Sequence, residues 1–270
     1  MIIGNKNFDI KNHTYLMGIL NVTPDSFSDG GSYSKMDKAL FRVEEMINEG
    51  ADIIDIGGES TRPGYQAISC EEEIERVIPV LEQIKKRFDV PLSLDTYKSD
   101  VAIVGIRHGA DLINDIWGLQ YDEKMAQVIA NKKVACCLMH NRKEANYHSF
   151  WDDMMMDLKT SLDIAFMAGI SKDKIIIDPG VGFAKSYQQN LDVISKIKEL
   201  SILECPILLG ASRKSVVGIT LDAPVDKRLS GTLAISAYAV MQGCSFLRVH
   251  DIKENKDIIK MLETLKYVSC

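Results

Sequence analysis

The sequence predicts an α/β protein built as a single (β/α)8 TIM barrel over residues 1–270. Three observations lead there. Short apolar runs alternate with amphipathic helical patterns along the whole chain, the order of a parallel sheet wrapped by helices. The length, 270 residues at 30.2 kDa, suits one barrel of about 250 residues. Almost every apolar run also ends in side chains suited to hold a ligand: Asn21, Glu59 to Arg62, Asp95, Asn114 with Asp115, His140, Asp178, Ser212 to Ser215, and Arg248 with His250. Carboxyl ends of parallel strands share one rim, so these scattered residues can converge on one site.

A short N-terminal β-hairpin is expected around the turn Gly4-Asn5-Lys6-Asn7. Residues 15–20 form a short, mostly apolar run ending at Asn21, which reads as the first barrel strand. From 35 to 49, Leu40, Val43, Met46 and Ile47 recur at helical spacing, and Gly50 stops the pattern as a C-cap glycine does. The alternation then repeats, with strands at 52–56, 92–94, 112–113, 134–139, 175–177, 207–209 and 246–249. Helices are expected between them near 71–87, 98–108, 122–132, 151–168, 188–199 and 227–242, with a last one near 254–267. No Pro, Gly or Ser-rich linker divides these elements, and no short-period repeat points to a solenoid. The connections 22–34 and 60–70, the first two βα loops, are longer and richer in turn residues than a barrel needs. Such loops act as lids over the rim.

Composition narrows the function. The balance of 32 Lys and Arg against 38 Asp and Glu, a net charge of -6, opposes nucleic acid as a partner. Against that background Arg62, Arg213, Lys214 and Arg248 at run ends mark a local pocket for an anion. The opening Met1-Ile2-Ile3-Gly4-Asn5-Lys6 is not a basic segment followed by a long apolar one. No apolar run approaches about 18 residues, so no membrane partner is expected and the expected compartment is cytoplasmic. The six cysteines, at 70, 136, 137, 205, 244 and 270, lack C-x-x-C spacing, which points to reduced thiols and away from a structural zinc site. Dinucleotide, Walker A, H-E-x-x-H and G-x-S-x-G motifs are absent, and no Ser or Cys sits in a recognisable nucleophile setting.

The loop Gly57-Gly58-Glu59-Ser60-Thr61-Arg62-Pro63-Gly64 combines close backbone approach with hydroxyl, amide and guanidinium donors. It suits a phosphate or pyrophosphate, beside the plainer reading of a strand-to-helix turn. Gly210-Ala211-Ser212-Arg213-Lys214-Ser215 places two cations and two hydroxyls near a helix start, where free N–H groups attract anions. Lys214 and Ser215 are the sharper candidates there, whereas Arg213 suits a surface ion pair. Arg248 and His250 share a face if the strand continues, and can reach one ligand. Asp95, Asn114, Asp115 and Asp178 could each merely cap a helix. Jointly they match a flat nitrogen heterocycle with an amino-pyrimidinone edge, because carboxylates accept paired N–H donors and Asn offers both kinds of group. Asp115 points away from Asn114 on an extended strand and reads as structural, as does His140.

With these motifs laid out, the chain resembles the dihydropteroate synthase family over nearly its whole length. Asn21-Val22-Thr23-Pro24-Asp25-Ser26-Phe27-Ser28-Asp29-Gly30-Gly31 is similar to the family's first loop and Gly58-Glu59-Ser60-Thr61-Arg62-Pro63-Gly64 to its second. Asp95-Thr96, Asn114-Asp115, Asp178-Pro179-Gly180-Val181-Gly182-Phe183, Ser212-Arg213-Lys214-Ser215 and Arg248-Val249-His250 follow in the family's order. The resemblance implies condensation of 6-hydroxymethyl-7,8-dihydropterin pyrophosphate with 4-aminobenzoate, releasing pyrophosphate, by a homodimeric enzyme. By motif it implies that Asp95, Asn114, Asp178 and Lys214 hold the pterin, and that Thr61, Arg62, Arg248 and His250 hold pyrophosphate. Pro63, Phe183, Lys214 and Ser215 would frame the aminobenzoate, Asn21 would bind Mg²⁺, and Asp95, Lys214 and Arg248 would be catalytic. The chain departs from the family after Met139-His140, reading Asn141-Arg142-Lys143-Glu144 where many members carry a Met-Gln-Gly-type stretch.

An arylamine is nucleophilic near neutral pH without a base, which agrees with the missing base. Breaking the carbon–oxygen bond to pyrophosphate is the hard step, so a Mg-assisted dissociative displacement is expected. A pterin-binding methyltransferase, the nearest rival reading, would lack the Ser-Arg-Lys-Ser loop and the long first lid. A catalytically silent pterin-binding paralogue would not need the cations at 62, 214 and 248.

Overall fold

The computed structural model describes residues 1–23, 32–60 and 67–268. At the N-terminus β1 (Ile2–Ile3) and β2 (Lys6–Asn7) pair antiparallel. Their turn is tighter than the sequence suggested, since Lys6 and Asn7 already belong to the second strand. Gly4 supplies the bend at φ +59°, where a Cβ would meet the Asp111 carboxyl at 2.8 Å.

Eight further strands make one parallel sheet: β3 (Tyr15–Asn21), β4 (Ile53–Gly57), β5 (Leu92–Asp95), β6 (Leu112–Asp115), β7 (Ala135–Met139), β8 (Ile175–Asp178), β9 (Leu208–Leu209) and β10 (Phe246–Val249). Neighbours run in the order β8-β7-β6-β5-β4-β3-β10-β9. An isolated parallel bridge from Ile177 to Ile207 joins the two ends. The sheet thereby closes into the expected barrel. β9 is short because Pro206, just before it, has no N–H to donate, although its carbonyl still accepts from Ile177 N at 3.0 Å.

Around the sheet lie α1 (Ser32–Glu49), α2 (Cys70–Arg87), α3 (Ser99–Arg107), α4 (Met125–Lys132), α5 (Phe150–Met167), α6 (Tyr187–Ser195), α7 (Ser215–Leu221), α8 (Leu229–Met241) and α9 (Ile252–Val268). α2 shows why such segments form. Ser69 caps its first turn by accepting from Glu72 N, Glu71 to Glu73 face the positive end of the dipole, and Lys85 to Arg87 face the negative end. Two helical features differ from the sequence expectation. The 188–199 pattern breaks after Ser195, whose hydroxyl donates to Asp192 O and so competes for a helical acceptor; a 3-10 segment, Ile197–Leu203, follows. α7 has only seven residues, too few for a periodic signal.

Strand alternation sorts the barrel residues into two cores. Leu16, Ile54, Ile56, Leu94, Ile113, Cys136 and Ile177 face the helices. Met17, Ile53, Leu112, Ala135, Cys137, Ile176, Leu208 and Phe246 fill the lower interior, and Ile3 and Phe8 of the hairpin plug it from below. Cys136 and Cys137 thus point to opposite faces, and both are free. The barrel is dry at its amino end, and the same period places polar residues on the inner face at the carboxyl end. Among the described residues no helix is long and apolar enough to cross a membrane.

Candidate active site

Register brings the predicted residues together. Asn21 pairs with Gly57, Gly57 with Asp95, and Asp95 with Asn114, so four neighbouring strands present one row at the barrel mouth. Gly57 lies between Asn21 and Asp95 in that row: a Cβ there would stand 3.6 Å from Asp95 Cβ and 3.8 Å from Asn21 Oδ1. Asp178 ends β8 across the mouth, and its Oδ1 accepts from Gly180 N at 2.7 Å.

Arg248 starts lower, in register with Met17, and its long stem carries the guanidinium up into this row. Nε donates to Asp55 Oδ2 at 2.6 Å and Nη2 to Asp95 Oδ2 at 2.6 Å. Burial alone would ease its proton off, but the two carboxylates outweigh burial and hold it charged. Asp55 is fully buried and also receives Ser93 Oγ at 2.5 Å and Asn114 Nδ2 at 3.3 Å. Since the Asn114 amide nitrogen faces Asp55, its carbonyl oxygen is the end left for a ligand.

Asp95 is the pivotal group. Among the described residues its buried Oδ1 has no hydrogen-bond partner, an arrangement that costs free energy unless a donor is supplied. Burial pushes its carboxyl up to about 7, with Arg248 opposing and Asp55 adding to the rise. Burial also raises Asp178, against the pull of Lys214. Lys214 stands at the N-cap position of α7; its Nζ donates to Val181 O at 2.5 Å and lies 4.7 Å from the centre of the Phe183 ring. Burial brings this ammonium down to about 8, opposed by Asp178. Gly210 faces the same space, since a Cβ there would lie 3.6 Å from Asp178 Oδ2 and 3.8 Å from Lys214 Nζ. Tyr97, Ile116 and Met139, with Trp117 and Phe183 against them, form an apolar cluster contributed by the same strand ends and loops. A flat ring has polar groups for its edge and apolar ones for its face.

The remaining candidates fall around this centre. Ser215 opens α7 and is exposed. His250 lies just past β10; its Nδ1 is 2.9 Å from Ser212 Oγ and its carbonyl accepts from Arg42 Nη2 at 2.8 Å. Arg213 is held in an ion pair with Asp251, Nε to Oδ2 at 3.0 Å, as its surface reading anticipated. Asp115 accepts from Trp117 N at 2.9 Å and Leu119 N at 2.7 Å and is structural. Thr61, Arg62 and Pro63 lie outside the described residues, as do most of the connection 22–34 and the middle of the connection 60–70.

Two groups escaped the sequence reading. Asp55 sits inside an apolar run rather than at its end, and the signal for it was parity: it lies two residues before Gly57, on the same inner face. Lys185 follows the Asp178 to Phe183 motif, and nothing in its spacing marks it.

Asn21 is the residue to test for magnesium. Mg²⁺ prefers oxygen ligands and keeps waters and phosphate oxygens about it, so one amide oxygen on the rim beside the anion pocket fits such an ion. No cluster of three or more His, Cys, Asp or Glu suited to a metal occurs among the described residues, which leaves an ion here to be held largely by phosphate and water.

The family of pterin binding enzymes matches residues 17–250. The chain is 51% identical to the dihydropteroate synthase of Clostridium beijerinckii over 266 residues, 98% of this chain and 99% of that protein. Among solved structures, it is similar to a dihydropteroate synthase of Clostridium difficile crystallised in the presence of pteroic acid, at 45% identity and TM-score 0.94, over 96% of this chain and 99% of the other. A dihydropteroate synthase of Xanthomonas albilineans with 4-aminobenzoic acid matches at 37% identity and TM-score 0.90, over 94% of each chain.

Proposed function

Because this chain belongs to the dihydropteroate synthase family of pterin-binding enzymes, transferases of folate synthesis, we propose that it joins 6-hydroxymethyl-7,8-dihydropterin pyrophosphate to 4-aminobenzoate at the mouth of its barrel. The products are 7,8-dihydropteroate and pyrophosphate. The observation that carries this reading is the buried, unpartnered Oδ1 of Asp95, set beside the carbonyl end of Asn114 and across from Asp178. Such a set calls for a ring bearing N–H donors, as a reduced pterin does.

In the displacement, the bond from the pterin methylene to the pyrophosphate oxygen breaks, and the oxygen keeps the electron pair. The amino nitrogen of aminobenzoate then bonds the methylene and passes its surplus proton to water. The Asp95 and Asp178 carboxylates stabilise positive charge spreading from the methylene into the ring, and Arg248 and Lys214 favour the departing negative charge. Oriented, buried charges act strongly because they need no rearrangement as the charge develops. Magnesium held at Asn21 would share the charge of the pyrophosphate. Arg62, Thr61 and His250 complete the proposed pyrophosphate pocket; Phe183, Pro63 and Ser215 frame the aminobenzoate, with Lys214 between the two substrates.

Ile219, Leu221, Val225, Tyr238 and Met241 are exposed apolar side chains on α7, α8 and the segment joining them. This concentration supports the expected homodimer. The reaction is tested by supplying both substrates and Mg²⁺, then following dihydropteroate and pyrophosphate. Absence of any aminobenzoate-dependent product would overturn the assignment.

A further inference from the structure

The loop after β8 is gripped by two lysine side chains, only one of which the proposed reaction uses. On one side Lys214 Nζ holds Val181 O. On the other, Lys185 Nζ donates to Gly180 O at 3.0 Å and Phe183 O at 3.1 Å, and meets His140 Nδ1 at 2.7 Å. His140 stands at the end of β7, and its Nε2 lies 3.0 Å from Asp157 Oδ2 on α5. With Nε2–H facing that carboxylate, Nδ1 is the acceptor and the lysine donates. Burial takes His140 down to about 4, which agrees with a neutral ring.

The anchoring continues into residues 141–147, just after β7. Arg142 donates from Nε to the same Asp157 Oδ2 at 2.6 Å, and from Nη1 to Asn146 O at 2.5 Å. Its guanidinium also lies 4.4 Å from the centre of the Tyr147 ring, and Tyr147 OH donates to Ala184 O at 2.8 Å. Space is tight at the centre of the contact. Gly180 has φ +71°, and a Cβ on it would fall 2.0 Å from His140 O.

We propose that Lys185, oriented by His140, Asp157 and Arg142, is a positioning residue that sets the loop carrying Phe183 and thereby shapes the aminobenzoate subsite. The effect is selective because the two substrates lean on different parts of the loop. Asp178 belongs to β8 and keeps its strand ladder. Phe183 lies beyond the strand, and its carbonyl is held by Lys185. Loosening the clamp therefore disturbs Phe183, and the Lys214 ammonium beneath it, more than the pterin floor.

This inference rests on the proposed reaction for its kinetic arm only. Lys185→Met should raise the KM for aminobenzoate about tenfold while the KM for the pterin pyrophosphate and kcat stay within about threefold. Amide hydrogen exchange should rise about tenfold or more in peptides covering 179–186 and 140–147, with the other barrel peptides unchanged. Equal rises in both KM values, or unchanged exchange in those peptides, would overturn the proposal. Faster exchange with an unchanged aminobenzoate KM would refute the role in substrate placement. If Lys185→Met does not fold, Arg142→Ala loosens the same network from its outer end and should move both readouts the same way. If the wild type makes no aminobenzoate-dependent product, the proposed reaction fails, and exchange alone decides the clamp.

Discussion

Asp95 and Lys214, two of the ionisable groups facing the proposed pterin pocket, give it a pH dependence of definite direction, with Asp178, also raised by burial, adding to the acid side. Asp95 is raised to about 7 and Lys214 lowered to about 8, and the proposed chemistry needs the first as carboxylate and the second as ammonium. The competent form of the free enzyme is therefore most populated between about pH 7 and pH 8 and declines on both sides. kcat/KM for the pterin pyrophosphate should trace a bell with its maximum in that range, several-fold lower by about pH 6 and about pH 9. Asp95→Asn removes the acid limb. It lowers the maximum, but the remaining activity should stay flat from pH 6 to 7.5. The same substitution has a stability signature of known sign. Between the ordinary value of 3.8 and about 7, the folded protein holds a proton on Asp95 that the unfolded chain has lost. Stability from this group thus falls as pH rises through that window, so Asp95→Asn should gain stability relative to wild type between pH 5 and 8. Denaturant titrations at both pH values measure it. A flat wild-type kcat/KM from pH 6 to 9, or an acid limb that survives in Asp95→Asn, would refute the assignment of these roles.

Four further perturbations probe separate parts of the account. Lys214→Ala should reduce turnover roughly 10²–10³-fold, the scale for one oriented electrostatic donor; near-normal kcat with both substrates saturating would rule that role out. Asp55→Asn leaves Arg248 with one carboxylate instead of two and should lower kcat/KM for the pterin substrate about 10–100-fold, with aminobenzoate KM changing little; calorimetric pterin titration gives an independent check. Gly180→Ala combines a left-handed φ with the His140 overlap and should cost about 3 kcal/mol or more, whereas Gly169→Ala, at φ +90° with nothing within 4 Å, should cost only about 1–2 kcal/mol by denaturant unfolding. Asn21→Ala should weaken the response to Mg²⁺ rather than abolish pterin binding, and an unchanged magnesium titration would count against Asn21 as its ligand.

Much of the molecule was legible in the sequence because strand ends announce themselves twice, once by closing an apolar run and again by being polar. Asn21, Asp95, Asn114, Asp178 and Arg248 were found that way, and register then set Asn21, Asp95 and Asn114 side by side. The fold followed from the same alternation. What escaped lacked one of the two signals. Asp55 is polar but interior to its run, so it interrupted nothing. Lys185 lies in a loop, and its role comes from contact with His140, a pairing across |i−j| of 45 that no local pattern encodes. α7 was too short to show a period, and its neighbour Arg213 was correctly read as an ion pair only because a better-placed cation, Lys214, followed it. The divergent stretch after His140 looked like a gap in the family pattern; its Arg142 instead ties into Asp157 beside the site.

The most direct test of the central claim is a single-turnover experiment with enzyme in excess over the pterin pyrophosphate. Product and pyrophosphate would be quantified in the same quenched samples, with and without 4-aminobenzoate. The wild type should release one pyrophosphate per dihydropteroate at matched rates, and Lys214→Ala should lose both on that timescale. Dihydropteroate formed at the wild-type rate by Lys214→Ala, or none formed by the wild type, would contradict that claim.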